Sequence, residues 1–509
     1  GLSATVGNPE QMLQWLVSGS ASPSCVVRPA TSSTQEASIQ LDFVGSIANA
    51  AIVISRLHRG EKRLVFVDSR ARAEELGTHL QKLDVKTFVT HSSLSKDQRG
   101  RAERAFASET DCVIVATSVL ELGVDVGDLD RVIQIDAPSK VASFLQRMGR
   151  TGRREDAERN CLFLATQDFG LLQAAALLEL WTEGFVEDVT PPPIPYHVFV
   201  QQLLALVLQN SDFTRSDWSS WIGNVVAFNE LRDGRADAII ESALSQNLLG
   251  QDGGRLYLGT EAERKLGHRH YSDLLSVVTS QPLFQVRYGR LEVGSVHPLS
   301  FVTRPDTPAI LALGGRGWRL QYVDWKRKIA HVEPANESGR SRWAGSSVPL
   351  STRLCKAVQK VLESELVSPM WSRRASERLM ELREEMAPCC GEGSRILRRG
   401  ETLEWWTFAG LAVNQTIVQL LQPHFPLALR ADNFWINLPT DIGTEELNRI
   451  LDEVRRDEAP PDWDLRGPAT DLLKFGDLLP AHLLNELILA RIADVPGARQ
   501  VLDTVHISM

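Results

Sequence analysis

Cysteine is scarce in this chain. Six occur in 509 residues, and only Cys389 and Cys390 lie close together. That gives neither a disulfide framework nor the paired spacing of a zinc site, so no metal centre is expected and a reducing, cytoplasmic setting is. Long apolar runs are missing too. None approaches the roughly 20 residues that span a bilayer, and no signal peptide opens the sequence, so a soluble chain with no membrane partner is expected. Positive charge is in deficit: 55 Lys and Arg stand against 64 Asp and Glu, a net charge of −9. A globally basic nucleic-acid binder is thereby disfavoured, and any contact with phosphates has to come from a local groove. There is no G-x-x-x-x-G-K-[ST] phosphate loop and no internal repeat. What is present is ordinary globular composition, 43% hydrophobic and 23% charged, with length enough for three or four domains.

The first half alternates strand and helix. A helical patch at Gln11–Val17 leads into a Ser/Thr/Ala/Pro-rich linker from Ser18 to Ser38. Helical spacing then returns from Phe43 to Arg56. Leu64–Val67 reads as a short buried strand, with Asp68 and Ser69 placed to cap the helix carrying Ala73, Leu76, Leu80 and Leu83. Phe88–His91 is the next strand, and Ser95-Lys-Asp-Gln98 has capping-box spacing before a charged helix. Val113–Ala116, Val132–Ile135 and Cys161–Ala165 complete the strand set. Strands alternating with helices imply a parallel sheet with crossover helices, an α/β domain over 41–185. Function in such a sheet gathers at the carboxyl ends of the strands.

One stretch, Val113 to Arg154, organises the rest. Its apolar run delivers the hydroxyls of Thr117 and Ser118 to a sheet edge, and a helix from Ser139 runs into Gln146-Arg-Met-Gly-Arg150-Thr-Gly-Arg153. Arginines three apart beside glycines make a poor core and a good phosphate clamp, because the planar fork matches phosphate oxygens and glycine lets the backbone approach. The alternative is a solvated surface run shared with Arg147 and Arg154. Placement of Arg150 and Arg153 in the packed core of the sheet would overturn the clamp.

ATSVLELGVD (116–125) and QRMGRTGRR (146–154) resemble motifs V and VI of superfamily 2 DEAD/DEAH-box helicases, and the flanks resemble the Lhr (large helicase-related) branch. Ser3-Ala4-Thr5 resembles motif III, which ends the first motor domain, so 1–40 is expected to be a remnant of that domain plus a linker, with Ser3 and Thr5 coupling the two motors. The resemblance implies a RecA-like fold for 41–185 and puts Ser69, Arg70, His91, Ser92, Thr117 and Ser118 on a nucleic-acid strand. It puts Gly123 and Asp125 near the nucleotide. Gln146, Arg150 and Arg153 become catalytic, the two arginines facing the γ-phosphate across the interdomain cleft. For Ser69, helix capping is an equal alternative.

Beyond a stiff boundary at Thr190-Pro-Pro-Pro-Ile-Pro195, helices and a Gly-rich hairpin at 248–258 indicate a winged helix over 196–270. Arg264, Lys265, His268, Arg269 and His270 form a basic cluster just past that hairpin. Short alternating runs over 271–350 indicate a small β-barrel-like module. There Trp343, flanked by Arg340 and Arg342, is the choice for stacking on a base, while Trp318 and Trp325 could equally fill the barrel end. Residues 351–509 read as mainly helical, and Trp405, Trp406 and Asn414 resemble a signature of the Lhr core's terminal domain.

The expected function is therefore the C-terminal portion of an ATP- and Mg²⁺-dependent helicase or translocase. Its partners would be single-stranded DNA or an RNA/DNA hybrid, together with the absent first motor domain, without which this chain is expected to be inactive. The alternatives are a non-catalytic nucleic-acid-binding or regulatory subunit, or a half-motor completed by a partner chain.

Overall fold

The computed structural model describes residues 5–18, 20, 22–27, 37–121, 129–152, 158–267, 270–278, 283–296, 310–313, 316–335, 348–427, 429–457 and 473–508. After a short helix, α1 (Pro9–Leu16), the chain builds a six-stranded parallel sheet. In chain order the elements are β1 (Ser38–Phe43), α2 (Ile47–Arg56), β2 (Lys62–Phe66), α3 (Arg70–Lys82), β3 (Thr87–Thr90), α4 (Lys96–Ser108), β4 (Cys112–Ala116), β5 (Arg131–Ile135), α5 (Val141–Met148), β6 (Asn160–Ala165) and α6 (Asp168–Thr182). The spatial order is β1-β6-β5-β2-β4-β3. Every residue of β4 is buried, as a continuous apolar run flanked by helices on both faces requires. Val65, Val115 and Ile133 pack toward α2 and α3, while Leu64, Ile114 and Val132 pack toward α5 and α6.

Sequence patterning missed β1, whose residues fall at the linker boundary drawn near 41. Ser-Ile-Gln-Leu-Asp-Phe alternates weakly and gains its partners only from β6, more than a hundred residues on. Its open edge is covered by the C-terminal part of the chain. Leu41 N–H donates to Met370 (2.7 Å) and Ser372 N–H donates to Leu41 (2.8 Å), which removes the unpaired edge that invites aggregation.

The next unit holds α7 (Tyr196–Gln209), α8 (Trp218–Ile222), α9 (Arg235–Ser245), the hairpin β7 (Leu249–Asp252) and β8 (Arg255–Leu258), and α10 (Thr260–Leu266). Gly253 and Gly254 form the two-residue hairpin turn with φ of 54° and 83°, angles that side-chain-bearing residues resist. Phe475, Leu478, Leu483 and Leu487 share this unit's core, so residues 475–487 pack with 196–274 and not with the rest of 351–509.

A mixed sheet follows, from β9 (Phe284–Tyr288), β10 (Leu291–Val296), β11 (Ile310–Leu313), β12 (Arg316–Asp324) and β13 (Ile329–Ala335). Its order is β10-β9-β13-β12-β11, and no pairing of β10 with β11 closes it into a barrel among the described residues. Trp318 is buried and donates to the Leu313 carbonyl at 2.9 Å, whereas Trp325 is 61% exposed and does not fill the end of the module.

The last part is mainly helical, as expected, but it also holds a sheet that the sequence pattern does not announce. α11 (Thr352–Glu363) and α12 (Arg373–Met386) precede β14 (Ser394–Arg399), β15 (Thr402–Trp406), α13 (Leu411–Leu421), β16 (Arg430–Ala431), β17 (Trp435–Leu438) and α14 (Thr444–Arg456). After α15 (Ala481–Ile492) the chain returns through α16 (Val495–Asp503) to β18 (Val505–Ser508). The five strands form one sheet, β16-β17-β15-β14-β18. Trp405 and Trp406 lie at its centre, almost fully buried. Short strands built from SRILRR and TLEWW carry little period-two signal, which is why helices dominated the reading. α11 packs on α6, and Arg378 of α12 grips Asp168 at 2.8 and 2.9 Å, a two-pronged pair that fixes this domain on the parallel-sheet domain.

Candidate nucleotide and nucleic-acid site

The loops that follow β2, β3 and β4 and the end of α5 converge at one edge of the parallel sheet. Arg147 is the centre of that convergence. Only 4% exposed, it donates to Asp68 (2.9 Å), to the Gln134 carboxamide oxygen (2.6 Å) and through Nε to Glu121 (2.7 Å). Its guanidinium also lies 5.1 Å from the centre of the Phe66 ring. In the sequence Arg147 figures only in the alternative of a solvated run and carries no role of its own. The available signal was the Gln134 and Glu121 pair facing it from buried positions, which no linear pattern exposes. A second buried network sits beside it: Arg72 contacts Asp136 and Thr166, and Asp136 accepts from Thr166 N–H at 2.7 Å. Gly170 makes this possible, since a Cβ there would sit 2.4 Å from an Asp136 oxygen.

Arg150 is 8% exposed and donates to the backbone carbonyl of Glu121. It is thus buried at the loop edge by a polar contact. Gln146 is half-buried on α5 and its carboxamide donates to Thr5 at 3.3 Å. That meeting is built from below. Glu187 accepts from the first two N–H groups of α5, at 2.7 and 2.9 Å, a carboxylate where the helix end is positive. The Glu187 carbonyl accepts from Gly7 N–H (3.2 Å), while Asn8 and Val189 exchange bonds of 2.8 and 3.2 Å. A Cβ on Gly7 would meet the Val186 carbonyl at 2.4 Å, so glycine admits this close docking. Ser3, Gly123, Asp125, Arg153 and Trp343 lie outside the described residues.

The remaining candidates face outward to different degrees. Ser69 caps α3, accepting from Arg72 N–H at 3.1 Å. One lone pair is used there, and the hydroxyl hydrogen remains available as a donor. Arg70, at the first turn of α3, is half-buried with no acidic partner among the described residues, and burial alone pulls its pKa down. Ser92 and Ser118 are exposed, while Thr117 is 8% exposed. The His91 side chain is turned inward. Its ring is fully buried, with Nε2 2.8 Å from Glu74 and Nδ1 accepting from Ser93 N–H at 3.3 Å. Because a ring nitrogen that accepts carries no hydrogen, the hydrogen is on Nε2 facing the carboxylate. The imidazole therefore props the loop and cannot reach a strand. A cavity of about 390 Å³ opens beside these groups, lined by Asp68, Ser118, Glu121 and Arg147 and closed on the far side by Asn433 and Phe434 of the C-terminal domain.

Residues 47–155 match the helicase conserved C-terminal domain. The chain is 25% identical over 421 residues to the Lhr helicase/uracil glycosylase of Escherichia coli, covering 68% of this chain and 27% of that protein. It is 23% identical over 398 residues to the ATP-dependent helicase Lhr-Core of Methanothermobacter thermautotrophicus, covering 71% of this chain and 44% of that one. The solved structure of Mycobacterium smegmatis helicase Lhr bound to ssDNA and AMP-PNP superposes with a TM-score of 0.68 at 19% identity, over 100% of this chain and 73% of that one. Residues 47–155 thus carry a helicase C-terminal domain, and the chain as a whole is similar to Lhr-type superfamily 2 helicases. It spans under half the length of both Lhr proteins compared by sequence. The six-stranded parallel sheet and this superposition fit a RecA-like domain followed by further domains.

Proposed function

We propose that this chain supplies the second motor wall and the C-terminal modules of an ATP-dependent helicase that moves along single-stranded DNA and unwinds duplexes. One observation carries the reading: Gln146 and Arg150 at the end of α5, Thr5 of the leading segment and the loop after β4 meet at one edge of the sheet. That edge would face a first motor domain holding the phosphate loop. In this arrangement Arg150 and Arg153 serve the γ-phosphate, Gln146 and Thr5 couple the two walls, and Gly123 and Asp125 border the nucleotide. Bound Mg-ATP supplies the phosphoryl-transfer energy. Permanently charged guanidinium groups fit that partner. Arg150 here rests on the Glu121 carbonyl and is released from it when the walls close.

The nucleic-acid track in this reading follows Ser69, Arg70, Ser92, Thr117 and Ser118, with Trp343 stacking on a base further along. An RNA/DNA hybrid is a second substrate of the same chemistry. Residues 196–270, joined by 475–487, act as a winged helix that packs on the motor, and 284–335 act as the β module beside it. The test is ATP turnover with and without single-stranded DNA. The 509-residue chain alone should show none above background. Joined to a first motor domain, it should show DNA-stimulated turnover that Arg150→Ala lowers by about 10³- to 10⁵-fold, with DNA affinity unchanged. Clear turnover by the chain alone would sink the assignment of the ATP site.

A further inference from the structure

The loop between β3 and α4, His91 to Ser95, is held from two sides, and the outer hold comes from the β module. Beneath it, the buried His91–Glu74 pair fixes the first residue. Outside it, β10 lies antiparallel to the loop. Ser295 N–H donates to the Ser93 carbonyl at 2.6 Å, and Ser95 N–H donates to the Val293 carbonyl at 3.3 Å. Leu94 and Gly294 face each other as a bridge pair. Leu94, 3% exposed, belongs to the core of the β module, packed with Val286, Val293 and Leu313. Gly294 follows a register shift in β10, and a Cβ there would stand 2.6 Å from the Ser93 carbonyl. Only glycine allows the two backbones to come this close. Of the five loop residues, Ser92 alone is exposed.

We infer that this clasp makes the β module a positioning element for the motor's grip on nucleic acid, with Leu94 and Gly294 as positioning residues. The inference rests on the reading of Ser92 as a contact to the sugar–phosphate chain. An apolar knob and two backbone bonds tie the loop to β10, so the β module sets where the Ser92 hydroxyl stands. A displacement of the module, as when a strand seats on it, is transmitted to that hydroxyl. The motor sheet itself need not move. The loop is short and both its flanks are pinned, so it has no slack to absorb the shift.

Two variants of the chain separate clasp from grip. Gly294→Val removes the close approach. Ser295→Pro deletes the N–H that bonds Ser93 on the side of β10 away from β9, where proline is tolerated in a sheet. Hydrogen exchange over 91–98 reports the clasp directly, and anisotropy with a labelled oligo-dT reports the grip. Both variants should accelerate exchange of the Ser95 amide at least tenfold and weaken oligo-dT binding about three- to tenfold, the scale of one hydrogen bond. Ser92→Ala should weaken binding as much, and the Ser92→Ala/Gly294→Val double variant should be no weaker than either single one. Unchanged exchange would refute the clasp. Faster exchange with unchanged affinity, while Ser92→Ala weakens binding, would refute its role in positioning. Faster exchange with all three variants and Arg70→Ala binding normally would leave the clasp standing and overturn the nucleic-acid reading of the loop.

Discussion

Two sets of polar side chains sit at the same edge of the motor sheet, and they differ in whether the protein supplies their partners. The inner set, Arg147 with Glu121 and Gln134, and His91 with Glu74, is buried and mutually bonded, with Asp68 joining Arg147 from the exposed side. The outer set, Arg70, Ser92 and Ser118, is half-buried or exposed, and Arg70 has no carboxylate near it among the described residues. A buried charge is tolerated only when paired. The inner set therefore fixes the loops in place, and the outer set offers its capacity to a ligand. Residue type does not separate the two sets: each contains arginine.

The largest effect expected from this contrast is on stability. Arg147→Ala leaves Glu121 and Gln134 buried without their common donor, and breaking a buried pair in this way costs about 3–5 kcal/mol. Asp68, more than a third exposed, adds little to that figure because water can replace its partner. Chemical unfolding monitored by the tryptophans would measure the loss. A change below about 1 kcal/mol would erase the distinction between the inner and outer sets.

Arg70→Ala should do the reverse. Unfolding free energy should stay within about 0.5 kcal/mol, the range of surface substitutions. Binding of oligo-dT should weaken about tenfold, and the slope of log affinity against log salt should fall by roughly 0.7, the share of one phosphate on a single strand. If stability drops while affinity holds, Arg70 belongs with the inner set.

How much of this was legible follows the same line. The motor's helices and five of its six strands stood out because apolar runs and capping residues are local signals, as at Val113–Ala116 and at Ser69 and Ser95. β1 did not stand out because Ser38–Phe43 is defined by a strand far along the chain, whereas Thr402–Trp406 forms a tight hairpin with Ser394–Arg399 and was hidden by its weak alternation. Among the site residues, the sequence placed the arginines of the α5 end on one loop but could not rank them. Arg147 and Arg150 differ only in what they meet, Glu121's carboxylate in one case and its backbone carbonyl in the other. The inward turn of the His91 ring was hidden for the same reason: its partner, Glu74, lies on the preceding helix and gives no pattern at that spacing.

Ser69 tests whether one residue can belong to both sets. Its oxygen accepts from Arg72 N–H, while its hydrogen points to no partner that the capping bond requires. Ser69→Ala removes both capacities and should cost about 1 kcal/mol of stability together with a two- to tenfold loss in oligo-dT affinity, about the worth of one hydrogen bond. Ser69→Asp keeps the cap, since a carboxylate accepts at a helix N-terminus at least as well, but it cannot donate and it repels phosphate. Stability should therefore return to the parent value while affinity falls further than in the alanine variant. Equal affinities for parent, alanine and aspartate would make Ser69 a cap and nothing more, and the outer set would begin at Arg70.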